Sequence, residues 1–144
     1  MFAGIILTPL KRIHHPQGDV YHALKSSDIG FTQFGEAYFS AINFNEIKGW
    51  KKHTKMVMNL VVPVGSVKLV IYDDRENSKS NGLFYKVIIS ADNYSRLTVP
   101  PGVWMAFQGM EVGLNLLLNI ANIDHDPLES RTEALEYINY NWSL

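Results

Sequence analysis

The stretch "MVMNLVVPVGSVKLVIYDD", residues 56–74, carries two apolar runs joined around Pro63 to Ser66. Each run is too short for an average helix and rich in branched side chains, which suit a pleated surface and lose freedom in a helix. They read as consecutive strands. Working outward, "RENSKSNG" (75–82) is a polar turn segment and "LFYKVIISADN" (83–93) a further strand ending at Asp92 and Asn93. "SRLTVPPG" (95–102) brings a short strand to a rigid stop, because Pro100 and Pro101 fix φ and lack a donor while Gly102 opens conformations closed to other residues. In the next strand Trp104 and Phe107 fall on opposite faces if alternation holds, and "VGLNLLLNIAN" (112–122) supplies one more strand. Towards the N-terminus, "FAGIILTPL" (2–10) and "EAYFSAINF" (36–44) read as strands, whereas "VYHALKSSD" (20–28) is either a strand or a brief amphipathic segment. Helical capacity is confined to "PLESRTEALEYI" (127–138), where Leu135 and Ile138 sit three apart. Seven or eight short strands punctuated by Gly, Pro and Asn predict an all-β antiparallel sandwich or jelly roll with a short C-terminal helix.

The 144 residues fit one domain, 1–144, and the 47% apolar content supports a sizeable core. Thirteen basic against fourteen acidic side chains leave a net charge of -1, so no strong field draws in a polyanion and nucleic acid is not an expected partner. Cysteine is absent, which removes disulfides, thiolate metal sites and a cysteine nucleophile and fits a reducing cytoplasm. "MFAGIILTPLKRI" (1–13) lacks the basic leader and small-residue cleavage pattern of an export signal, and no run approaches the ~20 apolar residues of a membrane helix. A soluble, cytoplasmic protein without membrane association is expected. His14 and His15 point opposite ways in an extended segment, and "DHD" (124–126) sits in a loop before Pro127, so no metal is expected.

"ISADNYSRLTVPPGVWMAF" (89–107), together with "VPVGSVKLVIYDDR" (62–75), resembles the cupin-fold dTDP-4-dehydrorhamnose 3,5-epimerase family. Gly65, Asp73 and Arg75 match the glycine turn and Asp-x-Arg element of that family, and Asn93 with Pro100, Pro101 and Gly102 match its later turn. The resemblance runs from about Gly18 to Asp126. It implies a cupin-type jelly roll (double-stranded β-helix), a homodimer, no cofactor and no metal, and a nucleotide-linked 4-keto-6-deoxy sugar as ligand. It also implies a histidine general base, and "KGWKKH" (48–53) places His53 at that position. Lys51 and Lys52 are the cations nearest to where the family carries a diphosphate-binding arginine, which is Trp50 here. Asp73, Arg75 and Trp104 complete the candidate substrate contacts.

Three further positions depart from the family. Met105 stands in place of a second histidine, Leu117 or Leu118 in place of the acidic tyrosine, and no clear equivalent is found for the aspartate that orients the base. Tyr38, Tyr72 and Tyr85 are substitutes by residue type only. The chemistry expected is proton abstraction next to a ketone by an imidazole, whose pKa near 6.5 suits a base, with a donor at the enolate oxygen. The functional expectation is an epimerase or keto-isomerase. The alternative is a non-catalytic cupin that binds a nucleotide sugar or another small ligand, and a third possibility is a structural dimer.

Overall fold

A computed structural model describes residues 2–144. The first sheet is built from β1 (Ile6–Pro9), β4 (Glu36–Ile42), β6 (Met58–Val64), β9 (Ser95–Val99) and β11 (Asn115–Ala121), in the order β1-β9-β6-β11-β4. The second contains β5 (Ile47–His53), β7 (Ser66–Tyr72), β8 (Phe84–Ser90), β10 (Trp104–Gly109) and β12 (Ser130–Thr132), in the order β12-β5-β10-β7-β8. A small ribbon pairs β2 (Arg12–Ile13) with β3 (Val20–Tyr21). All these pairings are antiparallel. The result is the all-β, cupin-like arrangement of two facing sheets, neither of which closes on itself into a barrel.

The continuous apolar runs of β6 and β7 have a direct cause, since each strand is covered on both faces. Met58, Leu60 and Val62 face Val67, Leu69 and Ile71 across the main core between the sheets. On the outside, Val61 lies 1% exposed, and the Asn59 amide donates to the carbonyl of Gly30 in the loop that lies over this face. The outer face of β7 carries Val70 into a second cluster with Trp50, Trp104, Ala106 and Ile138, roofed by Leu135, Tyr140 and Trp142. Gly65 alone joins the two strands, at φ +77°, and a Cβ there would come within 2.8 Å of Asn115 Cα.

The Pro100-Pro101-Gly102 turn carries the chain from the first sheet to the second, between β9 and β10. Gly102 takes φ +89°, and its amide donates to the His53 carbonyl at 2.7 Å, tying the turn to the end of β5. The ambiguous segment 20–28 contributes only Val20–Tyr21 as strand. The expected C-terminal helix is instead two single 3-10 turns, Pro127–Glu129 and Leu135–Tyr137, separated by β12. The Asp126 carboxylate caps Leu128 N at 2.9 Å and starts a turn, but pairing of Ser130 with His53 and of Thr132 with Lys51 draws the next residues into the sheet. Among the described residues, no helix is long and apolar enough to cross a membrane.

Candidate active site

Alternation along β5 decides what enters the space between the sheets. Lys48, Lys51 and His53 point inward, because a bulge opposite Met105–Phe107 shifts the alternation once and turns both Gly49 and Trp50 towards the outer layer. Lys52, next to Trp50 on the other side of Lys51, holds Asp74 instead of lining the cavity. The inward residues line a cavity of about 230 Å³ whose opposite wall comes from β4, β6 and β11. Its polar groups are Tyr38, Ser40, Lys48, Lys51, His53 and Asn119, set among Met58, Leu60, Met105, Phe107 and Leu117.

His53 is 5% exposed, and its Nδ1 is hydrogen-bonded to Oε1 of Glu129, itself 4% exposed at the end of the first 3-10 turn. The other carboxylate oxygen accepts from the backbone amides of Lys55 at 3.1 Å and Met56 at 3.3 Å. The Thr54 amide is shared between that oxygen, at 3.1 Å, and the Glu129 carbonyl, at 2.8 Å. Burial pushes the Glu129 carboxyl up, but the hydrogen bond from His53 and the amides of Lys55 and Met56 outweigh it and hold the group below the ordinary carboxylate range. An anion can only accept, so Nδ1 carries a proton, and in the neutral imidazole Nε2 is then the nitrogen with the free lone pair. This fixes the tautomer that a cavity base needs.

Tyr38 brings a hydroxyl to the same cavity. It stands opposite Asn119 in the β4–β11 register, and the Asn119 amide nitrogen lies 3.1 Å from its hydroxyl. Of the three tyrosines weighed from the sequence, Tyr38 lines the cavity, Tyr72 stacks on Phe84 outside it with ring centroids 4.7 Å apart, and Tyr85 packs against the main core beside Phe2. Leu117 and Met105 line the cavity where the family resemblance places a tyrosine and a second histidine. Phe107 faces the cavity and Trp104 the outer cluster, as alternation requires.

The remaining sequence candidates lie around the site without lining it. Lys52 Nζ is held by both oxygens of Asp74 at 2.7 and 2.8 Å, and the Trp104 indole donates to the same carboxylate at 2.9 Å. Asp73 is fully buried and accepts from Arg75 Nε and Nη2, each at 2.8 Å, and from the hydroxyls of Ser78 and Ser80, each at 2.6 Å. Burial opposes the Asp73 charge, but these donors prevail and its carboxyl is held far below the ordinary range. Arg75 also reaches the Ala3 carbonyl at 2.8 Å, so this network clasps the N-terminal segment. Trp50, at the family arginine position, is buried with its indole donating to the Leu135 carbonyl at 3.0 Å, and Lys48 and Lys51 bring positive charge to the cavity instead. His14 is paired with Asp19 on the surface, and the described residues contain no group of three or more His, Asp or Glu side chains gathered as for a metal ion.

Two residues of the candidate site were not legible in the sequence. Glu129 lies within the stretch expected to be helical, and the structure sets its carboxylate against His53 Nδ1, where the sequence offered no clear counterpart of the family aspartate. Asn119 left only a faint signal, as a polar residue at an inward position of the apolar "NLLLNIA" strand.

No protein-family model matches the chain. The crystal structure of a dTDP sugar isomerase from Desulfovibrio desulfuricans G20 superposes with a TM-score of 0.94 at 34% identity, over 99% of this chain and 92% of that one. The dTDP-4-dehydrorhamnose 3,5-epimerase from Sulfolobus tokodaii shares the fold, with a TM-score of 0.84 at 22% identity over 96% of this chain and 81% of that one. The probable low-salt glycan biosynthesis epimerase Agl13 of Haloferax volcanii is 26% identical over 102 residues, which cover 70% of this chain and only 65% of that protein.

Proposed function

Since this chain belongs to the cupin-fold dTDP-sugar epimerase and isomerase family, we infer that it is an epimerase or keto-isomerase of a nucleotide-linked 4-keto-6-deoxy sugar. His53 is the general base and Tyr38 the proton donor. The observation that carries this reading is the buried His53–Glu129 pair on the wall of a cavity that also presents a tyrosine hydroxyl.

The chemistry follows from the two walls. A ketone acidifies the neighbouring C–H, and Nε2 of His53 takes that proton while the C–H electron pair becomes the C=C of an enolate and the carbonyl pair moves onto oxygen. Glu129 stabilises the imidazolium so formed. When the enolate collapses, its C=C pair takes a proton from the Tyr38 hydroxyl, leaving a phenolate. Solvent then removes the proton from the imidazolium and returns one to the phenolate. Because His53 comes from the second sheet and Tyr38 from the first, a ring lying between them is deprotonated on one face and reprotonated on the other, which inverts the carbon.

Lys51 is the diphosphate contact best placed at the cavity, with Lys48 beside it. Lys52, Trp104, Asp73 and Arg75 act on the substrate through the framework they stiffen. The flattened jelly roll pairs with a second copy through the outer face of the first sheet, where Phe39 is 62% exposed beside half-buried Leu116, Leu118 and Ile120 at an unpaired edge strand.

Incubation in D₂O with a dTDP-linked 4-keto-6-deoxy sugar tests the reading. Deuterium should enter the sugar with the wild-type protein and enter at least about a hundredfold more slowly with His53→Asn. Saturable binding of several such sugars with no exchange in the wild type would instead establish the non-catalytic cupin.

A further inference from the structure

Asn119 is 3% exposed on the inward face of β11, where Leu117, Leu60 and Met58 surround the cavity wall. Its Oδ1 is buried with no hydrogen-bond partner, while its Nδ2 lies 3.1 Å from the Tyr38 hydroxyl and 3.8 Å from the Met56 sulfur. A buried acceptor without a partner costs stability, and a leucine of similar volume would remove that cost. An amide kept at the expense of stability, in contact with the proposed proton donor, is the pattern of a residue retained for function.

We propose that Asn119 is a positioning residue for Tyr38. Its N–H fills an acceptor lone pair of the phenol oxygen, so the hydroxyl hydrogen cannot turn back into the sheet and is presented to the cavity. The direction of this bond is the essential point. Were the amide turned the other way, Tyr38 would donate to Oδ1 and its hydrogen would be withheld from the substrate. The inference rests on the reading of the cavity as an epimerase or isomerase site.

The test compares Asn119→Leu and Asn119→Asp with wild type and with His53→Asn, following deuterium entry, product formation and thermal stability. Asn119→Leu should be as stable as wild type or more so, with kcat for product lowered about 10- to 100-fold and KM within about threefold, because only the orientation of the donor is lost. Deuterium entry, which needs only His53, should fall much less than product formation. Asn119→Asp, which can only accept, should be slower in product formation than Asn119→Leu. Wild-type kcat in either variant overturns the inference. So does a large loss of stability with deuterium entry and product falling together, which marks a structural role. If His53→Asn abolishes exchange while the Asn119 variants behave as wild type, only this inference fails; if wild type shows no exchange, the functional reading fails and takes the inference with it.

Discussion

Replacing Glu129 by glutamine is the most searching perturbation of this site. The side chain keeps its shape but has one carbonyl oxygen to serve two sets of donors, His53 Nδ1 on one side and the Thr54, Lys55 and Met56 amides on the other. Three amides at 3.1–3.3 Å outbid one imidazole, so the oxygen stays with the backbone and the new NH₂ faces Nδ1. Two donors cannot face each other. The imidazole must then carry its proton on Nε2, and the lone pair that would attack the substrate is gone. The loss of one charge-assisted hydrogen bond, with weaker acceptance from the amides, amounts to about 2–4 kcal/mol of stability. The wrong tautomer should lower kcat about a thousandfold or more. Deuterium entry into the sugar measures the second quantity and thermal denaturation the first. The pH dependence adds a check of sign: the Glu129 carboxyl is held below its unfolded value, so its stabilisation is complete above the unfolded pKa of about 4.3 and is lost as pH falls through the folded value. The stability gap between wild type and Glu129→Gln should therefore narrow on acidification below about pH 4. A folded Glu129→Gln protein with kcat within about fivefold of wild type would refute the tautomer argument.

Tyr38→Phe should keep proton abstraction and lose reprotonation, so deuterium still enters the sugar while inverted product forms about a hundredfold more slowly; equal losses in both would place Tyr38 elsewhere in the reaction. Asp73→Asn removes a fully buried charge that accepts from Arg75, Ser78 and Ser80, and should destabilise the fold by about 3 kcal/mol. The KM of the folded fraction should stay unchanged, and a selective rise in KM would show that this network touches substrate. Phe39→Lys, placed in the exposed row on the first sheet, should shift the protein from dimer to monomer in sedimentation velocity; an unchanged sedimentation coefficient would remove that face as the interface.

The strands were legible because residues such as Met58, Val61, Leu69 and Val70 are buried on both faces of their sheets, and such burial writes itself into the sequence as unbroken apolar runs. His53 stood out only through the family resemblance, in which "KGWKKH" falls at the position of the base. Its partner was not legible, because Glu129 is 76 residues away and its burial depends on a turn that resembles the start of a helix. Local propensity at 127–138 describes what the segment would do alone, whereas pairing of β12 with β5 overrides it. The division between Lys51 and Lys52 was also beyond reach, since two adjacent lysines look alike until the register of β5 assigns one to each face.

The distance in sequence between His53 and Glu129 sets the order in which the molecule acquires its chemistry during synthesis. A nascent chain that has left the ribosome only as far as β11 already holds both long sheets' central strands and the imidazole, but not the carboxylate that commits its proton. Prematurely terminated products would thus be mute even if they collapsed into something near the native shape.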